Sequence, residues 1–308
     1  HRMPRRVVIT GLGTITAAGI GIDPLWEAVA AGASKLAGIE AFDPAGFDAR
    51  IAGEVRDFKV NKIVPKSYRK ATKVMARDIE LAVGAADAAV RDAGLVTPGT
   101  EPDGEPTYPA ARTGAHIGAG LIAAELDELT GALVESRGED GKFDIHHWGR
   151  EGMMSLTPLW LLKYLPNMLA CHVTIIHDAQ GPSNTITCGE ASGGLSLAES
   201  VRVIQRDKAD VCFCGGGESK INPMAFFRQQ LTGRLCTTGN DAPAQAVRPF
   251  DERASGTAIG EGGGILVIEA ADCAELRGAR AYAEVLGFGA TMSFHPESGA
   301  MEPEPDGR

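Results

Sequence analysis

Apolar residues in this chain fall into two patterns: short β-branched runs closed by glycine, and longer segments with apolar positions three and four apart. The first run, Val7-Val8-Ile9-Thr10 before Gly11-Leu12-Gly13, reads as a strand leading into a glycine turn. Residues 23–31 fit a capped helix with Pro24 at its first position. From Arg69 to Gly94 the positions Val74, Met75, Ile79, Ala82, Val83, Ala86 and Val90 recur at helical spacing and predict one long amphipathic helix. Residues 97–112 read as a surface loop, 114–120 as a buried strand entering a small-residue turn, and 136–152 as a second polar loop.

The strongest pattern begins at residue 173. Val173-Thr174-Ile175-Ile176 reads as a short strand, 179–183 as a turn and 184–188 as a second strand. Gly189-Glu190-Ala191-Ser192-Gly193-Gly194 is then a small-residue bend entering a helix through Leu195, Leu197, Ala198, Val201 and Ile204. Further strands are expected at 209–214, 265–269 and 281–289, with a long loop over 236–256. Strands alternating with helices indicate an α/β class with largely parallel sheets.

Composition narrows the function. Forty-four per cent hydrophobic and 23% charged residues describe an ordinary globular chain, neither disordered nor collagen-like nor a disulfide-dense mini-protein. The net charge of −10 argues against nucleic acid as a partner, and Arg2, Arg5 and Arg6 do not make a basic arm. Six cysteines in mostly apolar or glycine-rich surroundings, with no apolar signal segment at the start, point to a reducing cytoplasm and free thiols. Cys212-Phe213-Cys214 has no second pair to complete a zinc site and reads as alternation on a buried strand. The His146-His147 pair likewise has no carboxylate or thiol placed by sequence beside it, and reads as exposed loop. The apolar stretch 158–176 is interrupted by Lys163, Pro166 and His172, so it is expected as a buried helix and following strand, not a membrane span. Gly11 and Gly13 lack the third glycine and acidic residue of a dinucleotide site. His1-Arg2 before Met3 reads as a cloning remnant.

A side chain on a bend between a buried strand and a helix start meets backbone N–H groups and a helix dipole that favour negative charge. Enzymes use that geometry to expose a nucleophile beside an oxyanion site. Here the bend carries Glu190, with Cys188 two residues earlier. Glu190 is equally readable as an acidic residue that stabilises the helix start by about 0.3–1 kcal/mol.

Several blocks resemble the type II β-ketoacyl-acyl carrier protein synthases, members of the thiolase-like condensing enzymes. They are Arg6-Val7-Val8-Ile9-Thr10-Gly11-Leu12-Gly13, Gly181-Pro182-Ser183, Ala209-Asp210 with Gly215-Gly216-Gly217-Glu218, Asn240-Asp241 with Arg248-Pro249-Phe250-Asp251, and Gly260-Glu261-Gly262. The match runs in register from residue 4 to about 300. The resemblance implies a layered thiolase-like α/β fold with helices around mostly parallel or mixed sheets. It also implies Claisen condensation on chains held by an acyl carrier protein, and a homodimer or a heterodimer with a synthase paralogue. No metal or organic cofactor is implied beyond the carrier's own prosthetic arm.

Two departures stand out against that resemblance. With Gly181-Pro182-Ser183 in register, the family's nucleophilic cysteine falls on Glu190, and Ser255 stands where the family carries an acid. Relatives lacking the cysteine act as decarboxylating initiation modules or as chain-length-factor partners of a cysteine-bearing synthase, and both readings stay open. The family's His-Gly-Thr-Gly-Thr motif, its later Lys and His segment and its Gly-Phe-Gly-Gly loop do not occur. His116, His146, His147, His172, His177 and His295 sit in none of these motifs. The expected organisation is therefore residues 1–3 as remnant and start, 4–270 as an N-terminal thiolase-like half, and 271–308 as the start of a C-terminal half largely absent from this chain. The ending from Met301 to Arg308 reads as a break in a surface loop.

Overall fold

The computed structural model describes residues 4–293. His295, the first three residues and the ending 301–308 lie outside the described residues. The first half contains β1 (Val7–Thr16), β2 (Gly19–Ile20), α1 (Ile22–Ala30), β3 (Ala37–Gly38), β4 (Ile51–Gly53), α2 (Arg77–Asp92) and β5 (Thr113–Gly118). There follow α3 (Leu126–Glu135), α4 (Ile145–Arg150), α5 (Met168–His177), β6 (Ser183–Ile186) and α6 (Ser192–Gln205). The last elements are β7 (Val211–Glu218), α7 (Pro223–Leu231), β8 (Ile259–Gly260), β9 (Gly262–Ala270), α8 (Ala271–Leu276) and β10 (Ala283–Glu284). The main sheet has the order β10-β1-β9-β7-β5-β6, with β2 paired to β1. It is mixed: β5 runs parallel to β6 and β7, while β9 runs antiparallel to β1 and β7. A small sheet, β3-β4-β8, stands apart.

The period-two alternation of β7 fixes the layers. Val211 and Phe213 join the core cluster that includes α2 and α5, whereas Cys212 and Cys214 join the cluster under α6. The sheet is thus covered on both faces, as the α/β class requires. The cysteine pair is a strand face, as its spacing suggested. Among the described residues no helix is long and apolar enough to cross a membrane.

Several local expectations are corrected. Gly11 and Gly13 make no turn: both lie inside β1, past a register shift between Ile9 and Gly11. A Cβ on Gly13 would collide with the Ala85 carbonyl, and one on Gly11 would come within 2.7 Å of Ala93 Cβ. The glycines exist so that α2 can lie directly on the strand. Residues 173–176 belong to α5, not to a strand; Val173 and Ile176 are buried on the helix, whose end is closed by Asp178 in the left-handed region. The expected long helix from Arg69 is divided. A 3-10 segment, Lys66–Val74, ends at Met75 and Ala76, both extended, before α2 starts at Arg77. The lysine-rich part has no buried residue to hold an α-helix against the core. α1 is capped by Gly21 rather than Asp23, which sits in its first turn. The 136–152 loop contains α4, capped by the Asp144 side chain, and the 281–289 strand shrinks to β10.

The starts of β1, β5 and β7 are joined by charge. Asp210 accepts from Arg112 at 2.6 and 2.8 Å and from Arg5 at 2.8 Å. The Arg112 bonds, with Arg5 behind them and against some desolvation, hold its carboxyl down to about 2. A carboxyl depressed by folding contributes stability above its unfolded value and loses it as pH falls toward the folded one. Asp210→Asn is therefore expected to unfold more easily than wild type near neutral pH. Thermal melts should show that gap closing between about pH 4 and about pH 2.

Candidate functional site

Gly118, Gly216 and Gly217, at the ends of the parallel strands β5 and β7, border a cleft of about 240 Å3. Gly189, Glu190, Ser192 and Gly193 close one side, and Ala119, Gly120, Glu218 and Gly262 complete it. The crevice beyond the carboxyl ends of parallel strands is the usual ligand position in open α/β sheets. The cleft is lined by glycine because α6 begins there: a Cβ on Gly118 would lie 2.6 Å from the Ser192 carbonyl carbon.

The bend itself is a 3-10 turn, Gly189–Ala191, leading directly into α6. Gly189 takes φ +57°, the left-handed region where a side chain is strained. Ser192, 5% exposed, ties the turn to the helix. Its hydroxyl accepts from the Cys188 N–H at 2.8 Å and donates to the Gly189 carbonyl at 2.7 Å. One turn on, the Ser196 hydroxyl accepts from the Gly215 N–H at 2.9 Å and donates to the Gly193 carbonyl at 2.7 Å. Two serines thus fasten the helix start to the bend and to β7.

Glu190 stands exposed on this turn, lining the cleft. Its carboxylate makes no hydrogen bond or ion pair with any described residue, and α6 has no side-chain cap. What the turn gives Glu190 is the helix dipole and solvent, with no cationic partner. Cys188, a free thiol, is exposed just before the turn.

No histidine lines the cleft among the described residues. His116 is buried with Nδ1 2.9 Å from Ser200 Oγ, and burial lowers its pKa. His172 meets the Tyr68 hydroxyl at 2.7 Å and His177 meets Thr97 Oγ1 at 2.8 Å. Burial brings each of these two imidazoles down to about 4, with Arg91 adding to the effect at His177. His146 and His147 sit on α4, and no described cluster of His, Cys, Asp and Glu is placed to hold a metal ion. Cys212, in the sheet, is pushed up to about 12 by burial. Ser255, in the long loop, meets Cys236 Sγ at 3.1 Å and Thr238 Oγ1 at 2.7 Å.

Two features escaped the sequence reading. At the end of β7, Glu218 pairs with Lys220 at 2.8 Å, and Lys220 Nζ donates to the Leu121 carbonyl at 2.9 Å. This pair joins the loops after β7 and β5 at the rim of the cleft. The second is a stripe of exposed cations, Lys59, Lys62, Lys66, Arg69, Lys70 and Lys73, none ion-paired among the described residues. No acid stands between Phe58 and Arg77, a run that the net charge of −10 conceals.

The sequence profile of the β-ketoacyl synthase N-terminal domain matches residues 4–274. Over 93% of this chain, 34% of residues are identical to a putative polyketide β-ketoacyl synthase 1 of Streptomyces cyaneus. Over 92%, 33% are identical to 3-oxoacyl-[acyl-carrier-protein] synthase 2 of Vibrio cholerae. Among solved structures, the ishigamide ketosynthase/chain length factor superposes with TM-score 0.75 at 29% identity, covering 99% of this chain and 67% of its own. The chain spans 63% of the length of the Streptomyces and Vibrio relatives.

Proposed function

Because this chain belongs to the β-ketoacyl synthase family, we propose that it serves fatty-acid or polyketide assembly on carrier-bound chains without forming an acyl-enzyme. The observation that supports the proposal is Glu190, exposed and unpaired on the turn to which the family resemblance assigns the cysteine. A carboxylate attacking a thioester would give a mixed anhydride, less stable than the thioester it replaces. Its charge would also compete for the backbone donors that a thioester oxyanion needs.

Two roles are compatible with a missing nucleophile. Glu190 assists decarboxylation of a malonyl chain, or the protein is the silent partner of a cysteine-bearing synthase. The geometry favours the silent partner. A malonyl carboxylate entering the cleft would face the like charge of the Glu190 carboxylate, which opposes its binding there. In addition β6 is, among the described residues, the edge of the main sheet, with Ser183 and Asn184 exposed, and an open edge accepts another strand. The 158–176 segment, whose Leu159, Leu161 and Ile175 are exposed, precedes that edge and suits the same contact. The Lys59 to Lys73 stripe is where we place the carrier protein, as a surface complementary to an acidic partner.

Native mass spectrometry of the full-length protein, alone and with a cysteine-bearing paralogue, tests the choice. The expected result is a one-to-one heterodimer, and no release of carbon dioxide from malonyl carrier by this protein alone. A stable homodimer that decarboxylates malonyl carrier would remove the silent-partner role.

A further inference from the structure

Most of the cation stripe sits on a segment with little to hold it. Lys66, Arg69, Lys70 and Lys73 belong to the nine-residue 3-10 helix Lys66–Val74, which has no buried residue. Hydrogen bonding in a 3-10 helix is poor beyond three or four residues, so a run this long depends on contacts with the rest of the fold. The chain is pinned on either side, by Val60 and Val64 before the segment and by Met75 and Ala76 after it, all buried. Within it, Tyr68 is the one hydrophobic residue, among those described, that packs against the main core cluster. Tyr68 also makes the only side-chain hydrogen bond that leaves the segment among the described residues: its hydroxyl lies 2.7 Å from His172 Nδ1 on α5. The Thr72 hydroxyl, by contrast, donates to the Arg69 carbonyl inside the segment. The Tyr68 and His172 rings meet edge to face, with centroids 5.8 Å apart and planes at 78°.

The other end of the contact is equally committed. His172 is 3% exposed, and its Nε2 has no hydrogen-bond partner among the described residues. Tyr68 is therefore the one polar partner of a buried imidazole, and a buried polar group left without any partner is costly. The helix that carries His172 is itself firmly held, because Leu169, Val173 and Ile176 share a core cluster with the apolar residues of α2. The bond thus joins a segment without a hold of its own to a helix that has one. Tyr68 stands between Lys66 and Arg69 in sequence, so a shift of its ring carries the cations with it. Charges fixed in one arrangement bind an opposite surface without first having to be ordered.

We propose that the Tyr68–His172 bond is a latch that sets the shape of the cation stripe, which makes the two residues positioning residues for an acidic carrier protein. The proposal rests on the placement of the carrier made above. It adds that affinity depends on the latch as well as on the number of cations.

Tyr68→Phe in the full-length protein tests this, since it removes one hydroxyl and keeps the ring and every charge. Two readouts are needed: amide hydrogen exchange over residues 66–75, and the affinity for a holo acyl carrier protein measured at several salt concentrations. Exchange over 66–75 is expected to quicken roughly five- to tenfold, the worth of one net hydrogen bond, with α2 unchanged. Carrier affinity should fall several-fold, while its salt dependence, which follows the charges, stays that of wild type. Unchanged exchange would overturn the latch, and quicker exchange with unchanged affinity would overturn its role in docking. The double reversal Lys66→Glu with Lys70→Glu separates this from the underlying reading. It should abolish carrier binding and leave the Tyr68 contact intact. If it leaves carrier affinity unchanged, the placement of the carrier on the stripe is wrong, and the docking role of the latch falls with it.

Discussion

Replacing Arg277 with Met is expected to destabilise the fold by about 3–5 kcal/mol, a large part of the 5–15 kcal/mol typical of a domain. The reason is Glu269, near the end of β9 and fully buried at 0% exposure. Its carboxylate accepts from the Thr10 hydroxyl on β1 and the Tyr108 hydroxyl in the loop before β5. Arg277, just past α8, supplies the one cation among the described residues, through Nε at 2.8 Å and Nη2 at 2.6 Å, and also donates to the Ala93 carbonyl beyond α2 at 2.9 Å. Burial and the bond to Glu269 both raise the Tyr108 pKa, so that hydroxyl stays a donor. Met fills similar volume but leaves the carboxylate among two neutral donors and no positive charge. Urea unfolding checks the magnitude. The double change Glu269→Gln with Arg277→Met should recover much of the loss, because the uncompensated charge goes with it. A loss below about 1 kcal/mol in the single variant would show that the two hydroxyls suffice.

Elements whose signal is local were legible in the sequence. The bend at 189–194, the α6 periodicity and the alternation of Cys212 and Cys214 depend on neighbours within a turn or two, and each appears where its pattern placed it. The errors have a common cause in non-local packing. β-branched Val173, Ile175 and Ile176 favour a strand locally, yet helical packing against the α2 core prevails. Gly11 and Gly13 look like a turn until α2 is seen lying on them. The Tyr68–His172 contact was not readable at all. It depends on how α5 packs against the segment before α2, and joins residues 104 positions apart in sequence. The basic stripe was in plain view but was masked by averaging charge over the chain.

The second large effect concerns Glu190. The turn around it is complete: Gly189 supplies the left-handed step, Ser192 locks the turn to the helix, and Gly118 lets the helix start approach the strand end. On the reading proposed above, this turn is a nucleophile's scaffold that carries a carboxylate instead. Glu190→Cys places a thiol at the head of α6, where the dipole favours the thiolate. The variant is therefore expected to change from no acylation to near-stoichiometric acylation. Cys188 lies before the turn, and its exposure alone does not give it that position.

The most direct measurement is intact-protein and peptide mass spectrometry of the full-length protein after incubation with an acyl carrier thioester. Wild type is expected to remain unmodified, and Glu190→Cys to carry one acyl group at the substituted position. A stable acyl adduct on Cys188 of the wild-type protein would contradict it.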